Sequence, residues 1–179
     1  DNLKMHLQTI FQGEDVSTAI IEQLGGMSNK NFKIIFENKE YVLRVPGNGS
    51  EGMVDRSNEE FNALEGCKMG VNPMIRYFNP TTGVKLADYI TNAETLNAAT
   101  IQRHDNMRKI ADIYRKIHKS HVRLKNEFNI FQEIQKYDKL IERANAVMYT
   151  GYETVRKQVL ALEGYLNTLG VELCACHND

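Results

Sequence analysis

The chain has 179 residues, 42% of them hydrophobic, which suits one domain or a small lobe joined to the start of a second and excludes a disordered tail. Its 22 Lys and Arg against 23 Asp and Glu leave a formal net charge of −1, so the global basic field used for nucleic-acid binding is absent and any bound anion must be held locally. Cys67, Cys174 and Cys176 form an odd set without framework spacing, as expected of reduced thiols in the cytoplasm, and no apolar run approaches the roughly 18 to 20 residues of a membrane span.

Residues 1–12 are charged and amphipathic, unlike a signal peptide. Leu3, Leu7, Ile10 and Phe11 fall on one face at helical spacing and predict a short helix. The pattern turns to β at Ala19–Leu24, followed by a Gly- and Asn-rich turn over residues 25–31. Phe32, Ile34 and Phe36 then alternate with Lys33 and Ile35. Residues 37–40 read as a turn and Tyr41–Val45 as a third strand, in which Val42 and Arg44 share one face. A helix is expected over Asp55–Met69, with Ser57 to Glu60 fitting a capping box and Gly70 as its stop. Met74–Phe78 and Val84–Ile90 read as a second hairpin.

Beyond Ile90 the composition becomes helical, which sets a lobe boundary between residues 90 and 91. Met107, Ile110, Ala111, Tyr114 and Ile117 mark one helix. Residues from Ile130 to Met148 mark a second and from Tyr152 to Leu169 a third. Val171–Cys176 is short, apolar and strand-like, and it runs into His177-Asn178-Asp179.

Three places carry candidate chemistry. Glycines at 25 and 26 let backbone N–H groups approach an anion, and Ser28, Asn29, Lys30 and Asn31 add donors; an ordinary hairpin turn uses the same residue types. Arg44, in an otherwise apolar strand, either pairs with a carboxylate or holds an anion, with Glu59 and Glu60 as the candidate partners; a solvent-facing edge arginine is the alternative. If Ser57 caps the helix, Glu60 turns back to the cap and Glu59 is left to meet Arg44. Asp179, just past an apolar run, could accept a hydroxyl proton, although a polar loop after a strand has the same composition.

The order of these features, a Gly-rich strand turn, a strand Arg, a helix Glu, a second hairpin, helices and a terminal His-x-Asp, resembles a protein-kinase-like fold. The residues carrying the resemblance are Leu24–Phe32, Tyr41–Gly47, Arg56–Glu59, Gly83–Ile90, Ile117–Ser120 and Cys176–Asp179. They are similar to the bacterial choline kinase group of the choline/ethanolamine kinase and aminoglycoside phosphotransferase superfamily. The resemblance implies an α+β architecture: a five-stranded antiparallel N-terminal nucleotide-binding lobe over residues 1–90, with one long helix, and an incomplete helical lobe over 91–179.

It also implies roles. Ser28, Asn29, Lys30, Asn31 and Arg44 would meet ATP phosphates, with Glu59 pairing Arg44. Val42 would pack on adenine, and Asp88, Tyr89 and Ile90 would form the hinge. Asp179 would be the catalytic base and His177 structural in its loop. The partners implied are ATP and a small alcohol, choline first and ethanolamine or an aminoglycoside behind it. In the family pattern the Mg2+ ligands lie beyond residue 179, so the chain as given is expected to be an inactive fragment with no metal site of its own. A non-catalytic nucleotide-binding or interaction domain is the competing expectation.

Overall fold

The first apolar stripe forms helix α1 (Asn2–Ile10), and the period-two alternation after it forms β1 (Ile20–Leu24), β2 (Asn29–Phe36) and β3 (Lys39–Pro46). These come from a computed structural model that describes residues 2–26, 28–47 and 54–177. Helix α2 (Arg56–Lys68) precedes β4 (Ile75–Phe78) and β5 (Lys85–Asp88). All neighbouring strands pair antiparallel, in the order β1-β2-β3-β5-β4.

The chain reverses between β2 and β3 in two residues. Glu37 (φ 49°) and Asn38 (φ 59°) both take left-handed backbone, and Phe36 stands opposite Lys39. A two-residue turn of this kind carries the twist that the flanking strands need. Strand β2 begins at Asn29, so Asn29–Asn31, expected in the turn, belong to the sheet.

One face of the sheet is the core. Phe32, Ile34, Phe36, Tyr41, Leu43 and Leu86 are buried there against Leu7 and Val16, with Leu3, Ile10 and Phe11 packed around them. The Phe11 ring lies 4.8 Å from that of Phe36 and 5.6 Å from that of Tyr41. Fully burying a side chain of this size stabilises by about 1.5–3 kcal/mol. A one-residue slip of β2 or β3 would turn the whole buried set to the other face, so the core fixes the register. The opposite face carries Asn31, Lys33, Val42, Arg44, Lys85 and Ala87.

Helix α2 starts two residues earlier than the capping-box pattern suggested. Asp55 is the N-cap, its carboxylate accepting from the Ser57 and Asn58 N–H groups, and Ser57 lies inside the helix. An ionised Asp satisfies two of the free N–H groups and opposes the helix dipole, which a Ser hydroxyl cannot match. At the other end Gly70 (φ 67°) takes left-handed backbone, and the Val71 N–H reaches the Gly66 carbonyl at 3.0 Å, closing the helix.

The three predicted helices are α3 (His104–His118), α4 (Ile130–Arg143) and α5 (Tyr152–Asn167). Helix α4 ends before Met148, because Ala144 closes it and Asn145 turns left-handed (φ 48°). By compactness the chain divides into residues 1–125 with 175–179, and residues 126–174. Within the second unit Arg156 on α5 grips Asp138 on α4 through both carboxylate oxygens, and the Tyr152 hydroxyl donates to the same group at 3.1 Å. The strand expected over Val171–Cys176 does not form: its described residues are irregular, and Val171 and Leu173 are 74% and 70% exposed. A strand needs a ladder partner for its backbone groups, and none is present for this segment among the described residues. No described helix is long and apolar enough to cross a membrane.

Candidate functional site

The polar face of the sheet gathers its charge at Arg44. Strand alternation aims this side chain away from the apolar core and towards α2, where Glu59 lies one turn into the helix. A terminal Arg44 nitrogen donates to Glu59 Oε1 and, at 3.2 Å, to the carbonyl of Gly83. Arg56 donates to the other oxygen, Glu59 Oε2, at 2.7 Å. Burial pushes the Glu59 carboxyl up, but the hydrogen bonds from Arg56 and Arg44 outweigh it and hold the group below its ordinary range. Glu59 is therefore ionised, with both oxygens engaged.

Arg44 is not fully engaged in return. Its Nε is buried and has no hydrogen-bond partner, a costly state for a charged donor in the absence of an acceptor. Lys85 adds to the imbalance. It stands directly opposite Arg44 in the β3–β5 register, and burial, then the Arg44 charge, lower its ammonium pKa. Among the described residues Arg44 and Arg56 share the carboxylate of Glu59 with Lys85 beside them, and a compact anion with several acceptor oxygens is the chemical complement of the open Arg44 Nε and the Lys85 ammonium.

The Gly-rich turn lies at the β1–β2 end of the same sheet. The Asn31 side-chain amide donates to the Gly25 carbonyl at 2.9 Å, and the Gly47 N–H reaches back to the Ser28 carbonyl at 3.1 Å. A Cβ on Gly26 would strike the Asn29 carbonyl and lie 2.7 Å from the Asn31 amide nitrogen, so the tight approach of backbone to backbone needs glycine there. Asn31, on the Arg44 face, acts as the clamp of this turn. Lys30 is exposed and alternates onto the opposite face, the side of Phe32 and Ile34. Ser28 is exposed at the turn and Asn29 half-buried at the start of β2.

At the far end of the face, Val42 is half-buried between Lys33 on β2 and Ala87 on β5. The Lys33 ammonium pairs with Glu40 at 2.8 Å and lies 4.5 Å from the centre of the Tyr89 ring. After β5, the Asp88 N–H bonds to the Met74 carbonyl and the Tyr89 N–H to the Glu40 carbonyl, at 2.9 and 3.0 Å. Ile90 is the first residue beyond them whose N–H has no backbone partner among the described residues. The Asp88 carboxylate is held by Arg76 through two bonds of 2.7 and 2.8 Å. An open cleft of about 890 Å3 is lined by Phe11, Tyr41, Leu86 and that Arg76–Asp88 pair. Tyr41 and Leu86 belong to the core face, so this cleft is separate from Arg44 despite its volume.

The structure therefore brings Arg44, Glu59, Asn31 and Val42 to one face, with Tyr89 and Ile90 at its end, and sets Lys30 and the Asp88 carboxylate apart. Arg56 and Lys85 lie in segments that carry the family resemblance, but the sequence alone gives neither a role. The i,i+3 spacing of Arg56 and Glu59 was a visible signal for the first. Lys85 could be found only through the pairing of β5 with β3. The His177 ring lies 6.4 Å from that of Tyr114 on α3, and Asp179 lies outside the described residues. Among the described residues no cluster of three or more His, Cys, Asp or Glu gathers to hold a metal.

The profile of the family described as choline/ethanolamine kinase matches residues 20–179. A LicA protein of Haemophilus influenzae is 24% identical over 156 residues, covering 87% of this chain and 46% of its own length. The crystal structure of choline kinase LicA from Streptococcus pneumoniae superposes with a TM-score of 0.84 at 33% identity, over 100% of this chain and 62% of that one. A LicA structure in complex with AMP gives 0.81 at 33% identity, over 100% and 61%. The chain spans about half the length of the curated relatives it matches.

Proposed function

The chain belongs to the choline/ethanolamine kinase family, and on that premise we propose that the full protein is an ATP-dependent phosphotransferase acting on the hydroxyl of a small alcohol, choline first. The observation that carries this reading is the Arg44–Glu59 pair: a half-buried guanidinium with an unpartnered Nε, facing the Lys85 ammonium across the β3–β5 ladder. That donor set fits a nucleotide's phosphates. The AMP bound by a relative supports the same class of ligand. Two free thiols at 174 and 176 and a third at 67 suit the reducing, ATP-containing cytoplasm, where we place the enzyme.

In this reading residues 1–90 form the nucleotide-binding lobe and residues 91–179 begin the helical one. Arg44, with the backbone of the turn at Ser28 and Asn29, would hold the phosphates, while Asn31 keeps the turn in shape. Val42 would pack on adenine. With the Asp88 and Tyr89 N–H groups committed to the sheet, the Ile90 N–H is the hinge donor left for the base. Lys30, exposed on the other face, would contribute charge only at a distance. Mg2+ would be held by residues outside the described part of the chain, and when bound it neutralises charge on the phosphates.

Asp179 would orient the acceptor hydroxyl and take its proton. The alcohol oxygen forms a bond to the γ-phosphorus, the bond from that phosphorus to the bridging oxygen breaks, and ADP leaves with the electron pair. Residues 1–179 alone would lack the metal ligands and most of the acceptor pocket and would not turn over.

The test is ATP consumption by the full-length protein with choline, ethanolamine and an aminoglycoside. Turnover should be fastest with choline, and Asp179→Asn should lower kcat by roughly 100-fold or more, the scale of lost proton transfer, with ATP affinity little changed. Full activity of that variant would remove Asp179 from the mechanism, and nucleotide binding without any turnover would favour a non-catalytic domain.

A further inference from the structure

We propose that Lys85 is a third cation of the phosphate site, acting beside Arg44 to favour nucleotides that carry the larger phosphate charge. The inference rests on the nucleotide-binding reading above and adds a residue to it. Lys85 opens β5 and faces Arg44 directly across the β3–β5 ladder, on the face opposite the apolar core.

An ammonium in such a place ordinarily finds a carboxylate. This one does not: Glu59 is the acidic group beside it, and its two oxygens are taken by Arg44 and Arg56. No hydrogen bond or ion pair to Lys85 occurs among the described residues. Like charges directly opposite one another on adjacent strands are destabilising, and burial without a partner adds to the cost, as the lowered pKa of this group reflects. A methionine at this position would fill the same volume without that cost. The arrangement is unfavourable for the free protein and becomes favourable when a polyanion enters.

The glycine at position 83 extends the same argument. Its left-handed backbone (φ 73°) leads into β5, its carbonyl accepts from Arg44, and a Cβ there would lie 2.6 Å from Arg56 Nε. The β4–β5 turn is thus packed beneath both arginines, and it delivers Lys85 to the cluster two residues later. A charge placed beside the arginine acts on a bound phosphate group through space, and its effect scales with the charge of the ligand. Discrimination between triphosphate and monophosphate is the consequence that sets this role apart from simple packing.

The experiment is calorimetric titration of the full-length protein with ATP, AMP and inorganic tripolyphosphate at two salt concentrations, for wild type, Lys85→Met, Lys85→Arg and Arg44→Ala, with thermal melts of each. The expectation is that Lys85→Met weakens ATP and tripolyphosphate by about tenfold, AMP by less than about threefold, and flattens the salt dependence. It should also melt at the same temperature as wild type or higher. Lys85→Arg should recover most of the affinity and serves as the folded control if the Met variant is poorly behaved. Equal weakening of all three ligands, or unchanged ATP affinity in a folded Lys85→Met, overturns the proposal. Unchanged ATP affinity in Arg44→Ala would instead overturn the nucleotide-binding reading on which it rests.

Discussion

The sheet with its two flanking helices and the helical hairpin of residues 126–174 are built on different terms. Leu7 on α1 and Ile34, Leu43 and Leu86 on the strands are fully enclosed, and one apolar face of the sheet is sealed by α1. The hairpin relies on the Arg156–Asp138–Tyr152 network, while Val155 and Leu162 on α5 and Leu169 just beyond it stay more than half exposed. The sheet therefore has the rigid support that a precise charge cluster needs, because interior packing fixes the strand on which Arg44 sits. Surface ion pairs give the hairpin far less.

The largest effect that would break this contrast is in the core. Leu43→Ala, one residue before Arg44, should cost about 3 kcal/mol in chemical denaturation, and nucleotide affinity should fall with it. A loss below about 1 kcal/mol would mean that the sheet is not the rigid half.

Glu59→Gln comes next. It leaves Arg44 and Arg56 without their shared carboxylate and should destabilise by about 2 kcal/mol, since half-buried charges lose a partner. The same residue predicts a pH effect. Because the Glu59 carboxyl is held below its unfolded-state value, its stabilisation is complete at neutral pH and is lost as the pH falls through the lowered folded-state value. Wild type should lose more stability on acidification than Glu59→Gln does; equal losses would show that the carboxylate is not specially held.

Smaller effects are expected in the hairpin. Asp138→Asn should cost about 1 kcal/mol, read as faster amide exchange in α4 and α5, with nucleotide affinity unchanged. Leu162→Gln, at a position 52% exposed, should change the stability of residues 1–179 by no more than about 0.5 kcal/mol. A large loss there would show that α5 is buried in solution and would remove the contrast.

What could be read from the sequence follows the same division. Strands with strict alternation, such as Phe32 to Phe36 and Tyr41 to Val45, declare their faces, and Arg44 beside Val42 was placed by that rule alone. The pairing of Arg44 with Glu59 was reached through a capping argument that the structure corrects: Asp55 caps the helix, and Glu59 meets Arg44 all the same, because the pairing depends on helix phase rather than on which residue caps. Arg56 was signalled by spacing but Lys85 was not, since its importance arises only when β5 lies beside β3, a pairing between residues 41 apart in sequence. The strand expected at Val171–Cys176 failed for the converse reason: apolar composition marks a segment that could pair, and pairing needs a partner. The role of Asn31 as a turn clamp was likewise hidden, because an amide that binds phosphate and one that binds a backbone carbonyl look identical in sequence.

The claim on which the account depends is that Arg44, set by Glu59, forms the centre of the phosphate site. It is tested most directly by calorimetric titration of ATP into the full-length protein and its Arg44→Ala variant at matched salt. A loss of affinity of roughly tenfold or more, the scale of one lost charge-assisted hydrogen bond to phosphate, is the predicted result. Identical affinities in two folded proteins would contradict it.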